Sequence, residues 1–284
     1  NRVQMGFWPN PNENTHHRSA AFRTAYRQVQ SSLFSIFHLR SIDWDILLLP
    51  LSGSLAIESV IRTFGGTVRV CTEGGFSHRV AEVHHSEDSD LAFGVLHETN
   101  DSRFCDVSGC HIVDAVSALP YFQFPESAQV VVTVSSKQFG GDTVWSMAFV
   151  RKDFWHRVQP LQGYLDLNRY RKFEQIAETP CTPPIRGLFS LADKLEGFDV
   201  QQFRDRIDRR YAEAKNLVLS AGGEVKGGPP AFTFRFAESD GVDTEKLWIP
   251  PNSEGWLQAF LWSGSDGEFD NFMEELQRLT VSVD

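Results

Sequence analysis

Val131-Val132-Thr133-Val134-Ser135-Ser136-Lys137-Gln138-Phe139-Gly140-Gly141 runs from an unbroken apolar stretch into two small hydroxyl residues, one lysine and a glycine pair. A short apolar run rich in β-branched residues and closed by turn residues reads as a buried strand, so the Lys137 amine stands at a strand end. Desolvation disfavours the charged form of such an amine. Lysines of lowered pKa are the ones that condense with carbonyl compounds. The plain alternative is a surface lysine, because Lys is rarely buried. A second run, Cys110-His111-Ile112-Val113-Asp114-Ala115-Val116-Ser117, places the Asp114 carboxylate at the close of another apolar segment.

Similar runs recur on both sides: Ile46–Leu49, Thr67–Thr72, Ala92–His97, Cys110–Asp114, Gln129–Ser135 and Trp145–Val150. Helix-like or loop segments separate them. Ser19 is placed to cap a helix whose apolar face carries Phe22, Tyr26, Val29, Leu33 and Ile36. Leu55 to Thr63 reads as a helix ended by Gly65-Gly66. Continuously apolar strands alternating with helices imply an α/β fold with a mostly parallel sheet buried on both faces. The composition changes after residue 185. Phe203, Ile207, Tyr211, Ala214 and Val218 mark an amphipathic helix, Phe232–Phe236 and Trp256–Trp262 read as strands, and Phe269, Phe272, Met273, Leu276 and Leu279 mark a last helix. The expected organisation is a large unit over 19–187 and a smaller α+β unit over 188–284, to which residues 1–18 add an irregular arm.

The 284 residues can bury a sizeable core, and 41% apolar with 23% charged residues is ordinary for a globular protein. A net charge of −10 argues against a diffuse phosphate-binding surface and leaves only a local basic patch open to nucleic acid. No apolar stretch approaches the roughly 18 residues that span a bilayer. Cys71, Cys105, Cys110 and Cys181 lack metal-ligand spacing and read as reduced thiols of a cytoplasmic protein. His16-His17 and His84-His85 are adjacent pairs without an acidic third ligand, so no metal site is expected.

In an open α/β sheet, ligands gather at the carboxyl ends of the strands. Ser52-Gly53-Ser54, between a strand and a helix, offers N–H groups and two hydroxyls to a phosphate, or simply caps the helix. Phe76, in a glycine-flanked loop, stacks on a flat ring or fills core. Asp114 balances a cationic ring nitrogen or serves as a cap or ion-pair partner, and Val116 faces the same side. Lys137 supplies an amine. A phosphate cradle, a ring stacker, a carboxylate for a pyridinium and an imine-forming lysine together describe a pyridoxal phosphate site.

The chain resembles the class V aminotransferase family of fold-type I pyridoxal phosphate enzymes, which includes alanine–glyoxylate, serine–pyruvate and 2-aminoethylphosphonate transaminases. The matching segments are His17-Arg18-Ser19-Ala20-Ala21-Phe22-Arg23, Ser52-Gly53-Ser54-Leu55-Ala56-Ile57-Glu58, Gly74-Gly75-Phe76-Ser77-His78-Arg79, His97-Glu98-Thr99, Val113-Asp114-Ala115-Val116-Ser117 and Ser135-Ser136-Lys137. Tyr164-Leu165-Asp166-Leu167 and Thr179-Pro180-Cys181-Thr182-Pro183-Pro184 resemble two later family segments. The resemblance implies pyridoxal 5'-phosphate as cofactor, bound as a Schiff base to Lys137, with Asp114 at the ring nitrogen and Phe76 and Val116 on the ring faces. It adds the Thr99 hydroxyl near the ring, and Ser52, Gly53, Ser54, Ser135, Ser136, Thr179 and Thr182 toward the phosphate. The threonine matching Thr182 reaches the neighbouring subunit's phosphate, which implies a homodimer with shared sites. It also implies a large domain built on a mostly parallel, seven-stranded type of sheet.

The departures are specific. The chain is shorter than usual, and Arg79 to His97 is too brief for the usual helix and strand. Asn100-Asp101-Ser102 follows the His-Glu-Thr motif, and Gly140-Gly141-Asp142-Thr143 stands where a Pro-Pro-Gly turn is usual. The family's carboxylate-binding arginine has no counterpart in Ala259-Phe260-Leu261-Trp262-Ser263-Gly264-Ser265. Arg18, Arg103 and Arg186 are the candidates to replace it. The expected function is an aminotransferase acting on a small amino acid or amine, with a keto acid as acceptor. The alternative is a decarboxylase or carbon–carbon lyase acting on an unusual amino acid, such as one linked to a modified nucleobase. A cofactor-free scaffold is disfavoured by the joint presence of Asp114 and Lys137.

Overall fold

The computed structural model describes residues 16–236 and 255–281. The expected arm falls mostly outside these residues, and so does the Leu279 side chain. In chain order the elements are α1 (Ala20–Ile36), β1 (Trp44–Leu49), α2 (Gly53–Phe64), β2 (Arg69–Val70), α3 (Gly75–His84), β3 (Ala92–Val95), β4 (His97–Glu98), β5 (Arg103–Phe104), β6 (Ile112–Asp114), β7 (Val130–Val134) and β8 (Ser146–Arg151). They continue with α4 (Leu167–Glu174), α5 (Ile185–Leu195), α6 (Val200–Ser220), β9 (Glu224–Lys226), β10 (Ala231–Arg235), β11 (Leu257–Phe260) and α7 (Asp266–Val281).

The central sheet has the order β1-β8-β7-β6-β3-β2. β2, β3, β6 and β7 pair in parallel, and β8 runs antiparallel to both β7 and β1. Five strands therefore deliver their carboxyl ends to one edge. Successive side chains alternate between faces, and both faces are covered. Ile46, Leu48, Val131, Met147 and Phe149 face the core that includes α1 and α5, whereas Leu47, Leu49, Val130, Val132, Ala148 and Val150 face the core that includes α2 and α4. That is why these strands read as unbroken apolar runs. Each of these side chains larger than alanine contributes roughly 1.5–3 kcal/mol by leaving water.

The mostly parallel α/β sheet agrees with the sequence. Its strands number six among the described residues, against the seven-stranded type that the resemblance implies. The difference lies in the brief stretch after Arg79, where α3 gives way to a turn and β3. A single bridge, Val68 to His85, stands on the far side of β2. Ser19 and Ser52 cap α1 and α2 as expected, accepting from the Phe22 and Leu55 N–H groups. The strand expected over Thr67–Thr72 shrinks to Arg69–Val70. Gly74-Gly75-Phe76, expected as a loop, opens α3, and α4, α5 and β9 were not anticipated.

The C-terminal elements form a three-stranded sheet, β11-β10-β9, covered by α6 and α7 around a third core of Phe203, Ile207, Phe232, Phe234, Leu257 and Leu276. A polar seam joins it to the first unit. Gln258 Nε2 lies 2.7 Å from the Thr99 carbonyl, 3.0 Å from Ser102 Oγ and 2.8 Å from Thr233 Oγ1. Arg204 donates to the carbonyls of Pro120, Tyr121 and Phe122. No helix among the described residues is long and apolar enough to cross a membrane.

Candidate active site

The carboxyl edge of the sheet gathers the sequence-predicted residues. β1 leads into Ser52-Gly53-Ser54 and the start of α2, β3 into His97-Glu98-Thr99, β6 into Asp114 and Val116, and β7 into Ser135-Ser136-Lys137. Gly53 is what lets α2 approach. A Cβ on it would stand 3.0 Å from Val116 Cγ2 and 3.2 Å from Val134 Cγ1. The α2 N-terminus, with its outward N–H groups and positive dipole end, is thereby docked against the ends of β6 and β7. The Ser52 hydroxyl is used as the helix cap, at 3.4 Å from the Leu55 nitrogen, and Ser54 is exposed in the first turn.

Asp114 is buried, and its Oδ1 accepts from the Val116 N–H at 2.8 Å. Burial pushes its pKa up to about 7, the nearby Glu98 charge pushes the same way, and Val116 and Lys137 oppose them. Lys137 is half-buried, and desolvation holds its amine below the usual lysine range, with the Asp114 charge partly restoring it. Each group thus sits within the other's field, yet among the described residues Asp114 forms no salt bridge. A buried carboxyl without a cation in contact and a desolvated amine nearby suit a group that brings its own protonated ring nitrogen at one end and a carbonyl carbon at the other. With the α2 N-terminus as an anion cradle, the donor set fits pyridoxal phosphate.

Phe76 is held by a residue that sequence reasoning passed over. The buried Glu98 carboxylate accepts from the Phe76 N–H at 3.0 Å, the Ser77 N–H at 2.8 Å and the Ser77 hydroxyl at 2.8 Å, capping α3 from a distant strand. Gly74 makes this possible: its φ is +136°, and a Cβ there would lie 2.3 Å from Glu98 Cδ. The middle residue of the His-Glu-Thr motif was the available signal. Glu98→Ala is expected to cost about 2–4 kcal/mol in denaturant unfolding, because it strips a charged acceptor from two buried donors and one part-buried donor. A loss below about 0.5 kcal/mol, within the range of an ordinary surface substitution, would refute this role.

Other predicted residues take different places. Thr99 is buried, and its carbonyl accepts from Gln258. The Ser135 hydroxyl is spent inside its own loop, on the carbonyls of Asp142 and Trp145, and Ser136 is half-buried. The buried Thr179 donates to the Cys181 carbonyl at 2.7 Å, and Thr182 is exposed just ahead of α5. Arg18 and Arg186 are exposed, and Arg103, also exposed, donates to the Glu73 carbonyl at 2.5 Å. Gln138 and Phe260 were missed. Gln138 ties the loop after β6 to the lysine loop, donating to the Ser117 carbonyl at 2.7 Å and accepting from the Tyr121 N–H at 2.8 Å. Phe260, at the end of β11, turns its ring toward Lys137, whose Nζ lies 5.4 Å from the ring centroid.

No family model matches the sequence, and no curated protein matches it. Solved structures do share the fold. An aspartate aminotransferase of subgroup IV from Thermus thermophilus superposes with a TM-score of 0.81 at 16% identity, over 95% of this chain and 93% of the other. The alanine–glyoxylate aminotransferase of Nostoc sp. gives 0.78 at 15% identity, over 93% and 89%. A PLP-bound phosphoserine aminotransferase from Trichomonas vaginalis gives 0.75 at 15% identity, over 96% and 93%. The chain therefore has the α/β fold of these aminotransferases, the fold its motifs implied.

Proposed function

We propose that this chain is a pyridoxal phosphate-dependent enzyme of the aminotransferase type, acting on an amine or amino acid with a keto acid as acceptor. The single observation that carries the reading is the pairing of buried Asp114 with desolvated Lys137 at one sheet edge, each within the other's field, beside a docked helix N-terminus. The fold shared with solved aminotransferases supports it.

When bound, the cofactor supplies an electron sink for a carbanion at the carbon bearing the substrate nitrogen. Gly53 and Ser54 would hold its phosphate with the α2 N–H groups, with Ser52 and Ser136 as further contributors, while the Thr179 hydroxyl is already spent on the Cys181 carbonyl. Ser135 lines the same loop. Phe76 and Val116 would contact the ring, with Thr99 nearby. Asp114 holds a proton on the ring nitrogen by accepting it as a hydrogen bond. Lys137 would hold the cofactor through its amine, and as a neutral base that amine could move a proton at the substrate Cα. Arg18, Arg103 or Arg186 would meet a substrate carboxylate if there is one. The division into 19–187 and 188–284 with an N-terminal arm belongs to this reading, as does a cytoplasmic homodimer in which Thr182 reaches the partner's phosphate.

Two experiments test it. Loaded protein is mixed with an amine and no keto acid. Release of the cofactor in its amine form means transamination, whereas carbon dioxide or an aldehyde with the cofactor regenerated means decarboxylation or cleavage. Thr182→Ala is expected to weaken cofactor retention about tenfold, the loss of one hydrogen bond to a charged group. Full retention, or a fully active monomer on sizing, would remove the shared-site part.

A further inference from the structure

The wall facing Lys137 is aromatic, and the side-chain hydroxyls beside it are engaged. Phe260 is half-buried, and its ring stacks on buried Trp262 with centroids 4.8 Å apart and planes 24° from parallel. The ring lies 5.4 Å from the Lys137 nitrogen. The hydroxyls of this segment are engaged: Ser263 donates to the Phe260 carbonyl at 2.7 Å and Ser265 to Glu268 at 2.9 Å. One arginine does reach the segment, but from behind. Arg210 is buried and donates to the carbonyls of Leu261, Ser263 and Gly264 and to Asp266. A carboxylate brought against this wall would lose water beside two aromatic rings while the hydroxyls and the guanidinium of the segment are already engaged among the described residues, which is costly. A flat apolar ring would lose only unfavourable hydration and gain stacking.

Resting on the pyridoxal phosphate reading, we infer that Phe260, backed by Trp262, selects an amine that presents an aromatic or apolar group here in place of a free α-carboxylate. With Lys137 engaged by the cofactor, its ammonium charge would no longer face Phe260, and that face would be open to the substrate's ring.

The test begins with cofactor uptake by the wild-type protein, read by absorbance after gel filtration. Failure at that stage sinks the cofactor reading itself. With uptake established, calorimetry on the loaded protein compares phenethylamine, phenylalanine, alanine and ethylamine. Phenethylamine is expected to bind at least about tenfold more tightly than alanine and no more weakly than phenylalanine. Phe260→Leu should lose about three- to tenfold toward phenethylamine, the worth of a stacked ring pair. It should leave ethylamine binding and cofactor uptake as they were, and Phe260→Tyr should retain the preference. Alanine binding as tightly as phenethylamine, phenylalanine binding more tightly than it, or an unaffected Phe260→Leu variant of wild-type melting temperature would each overturn this inference and leave the cofactor reading intact.

Discussion

Lys137→Ala is expected to lose cofactor attachment and at least about 10³-fold in turnover, since it removes both the bonding amine and the proton carrier. The fold should survive. Lys137 lies beyond β7, in a loop held by Gln138 and by the Ser135 hydroxyl, and neither depends on its amine. Removing a desolvated ammonium costs the apo protein little or stabilises it. Lys137→Arg sharpens the result: it keeps a positive charge near Asp114 but offers no nucleophilic amine. Both variants, incubated with pyridoxal phosphate and passed over a sizing column, should emerge without the long-wavelength absorbance of the wild type and with wild-type melting temperatures. A variant that keeps that absorbance would place the bonding amine elsewhere and sink the assignment.

Asp114→Asn should act in opposite directions on the empty and the loaded protein. Burial raises the Asp114 pKa from 3.8 to about 7. Between those values the folded chain keeps a proton that the unfolded chain has lost. The contribution of this residue to stability therefore falls as pH rises through that window and reaches its full deficit above about pH 7, on the order of 4 kcal/mol at most. Asparagine carries no charge, and its oxygen can still accept from the Val116 N–H. The variant is expected to unfold at higher denaturant than wild type at pH 8, by up to a few kcal/mol, and to match it near pH 4. Bound cofactor reverses the order, because a protonated ring nitrogen favours the ionised carboxylate. The loaded variant should lose about 10²-fold in turnover, a typical loss for a group that stabilises developing charge, and should release cofactor more readily. Equal stability gaps at pH 4 and pH 8 would show that Asp114 does not titrate in this window.

The strand runs were legible because the physics that buries them is local to the run. Val130 to Val134 has apolar side chains on both faces, and only a doubly covered strand accommodates that. Ser19 and Ser52 were legible for the same kind of reason, a cap acting within one turn. α3 was not, because its start is a glycine pair with no cap of its own, and the acceptor it needs comes from Glu98. The hydroxyl of Ser135 looked free in the sequence, but the carbonyls that claim it come from the turn at Asp142 and from Trp145.

The sequence by itself determined the layer architecture and the strand ends at which Ser52, Asp114 and Lys137 stand, since strand ends and turn residues are written in contiguous stretches. The lateral order of those strands, which sets Asp114 and Lys137 on neighbours, came from the sheet. Tertiary structure alone decided what those residues meet. Burial beneath elements distant along the chain pushes the Asp114 pKa up to about 7. Glu98 governs Phe76 across 22 positions, and Phe260 arrives at Lys137 from another sheet. Such contacts depend on how elements pack, and packing couples residues whose separation along the chain carries no trace of it.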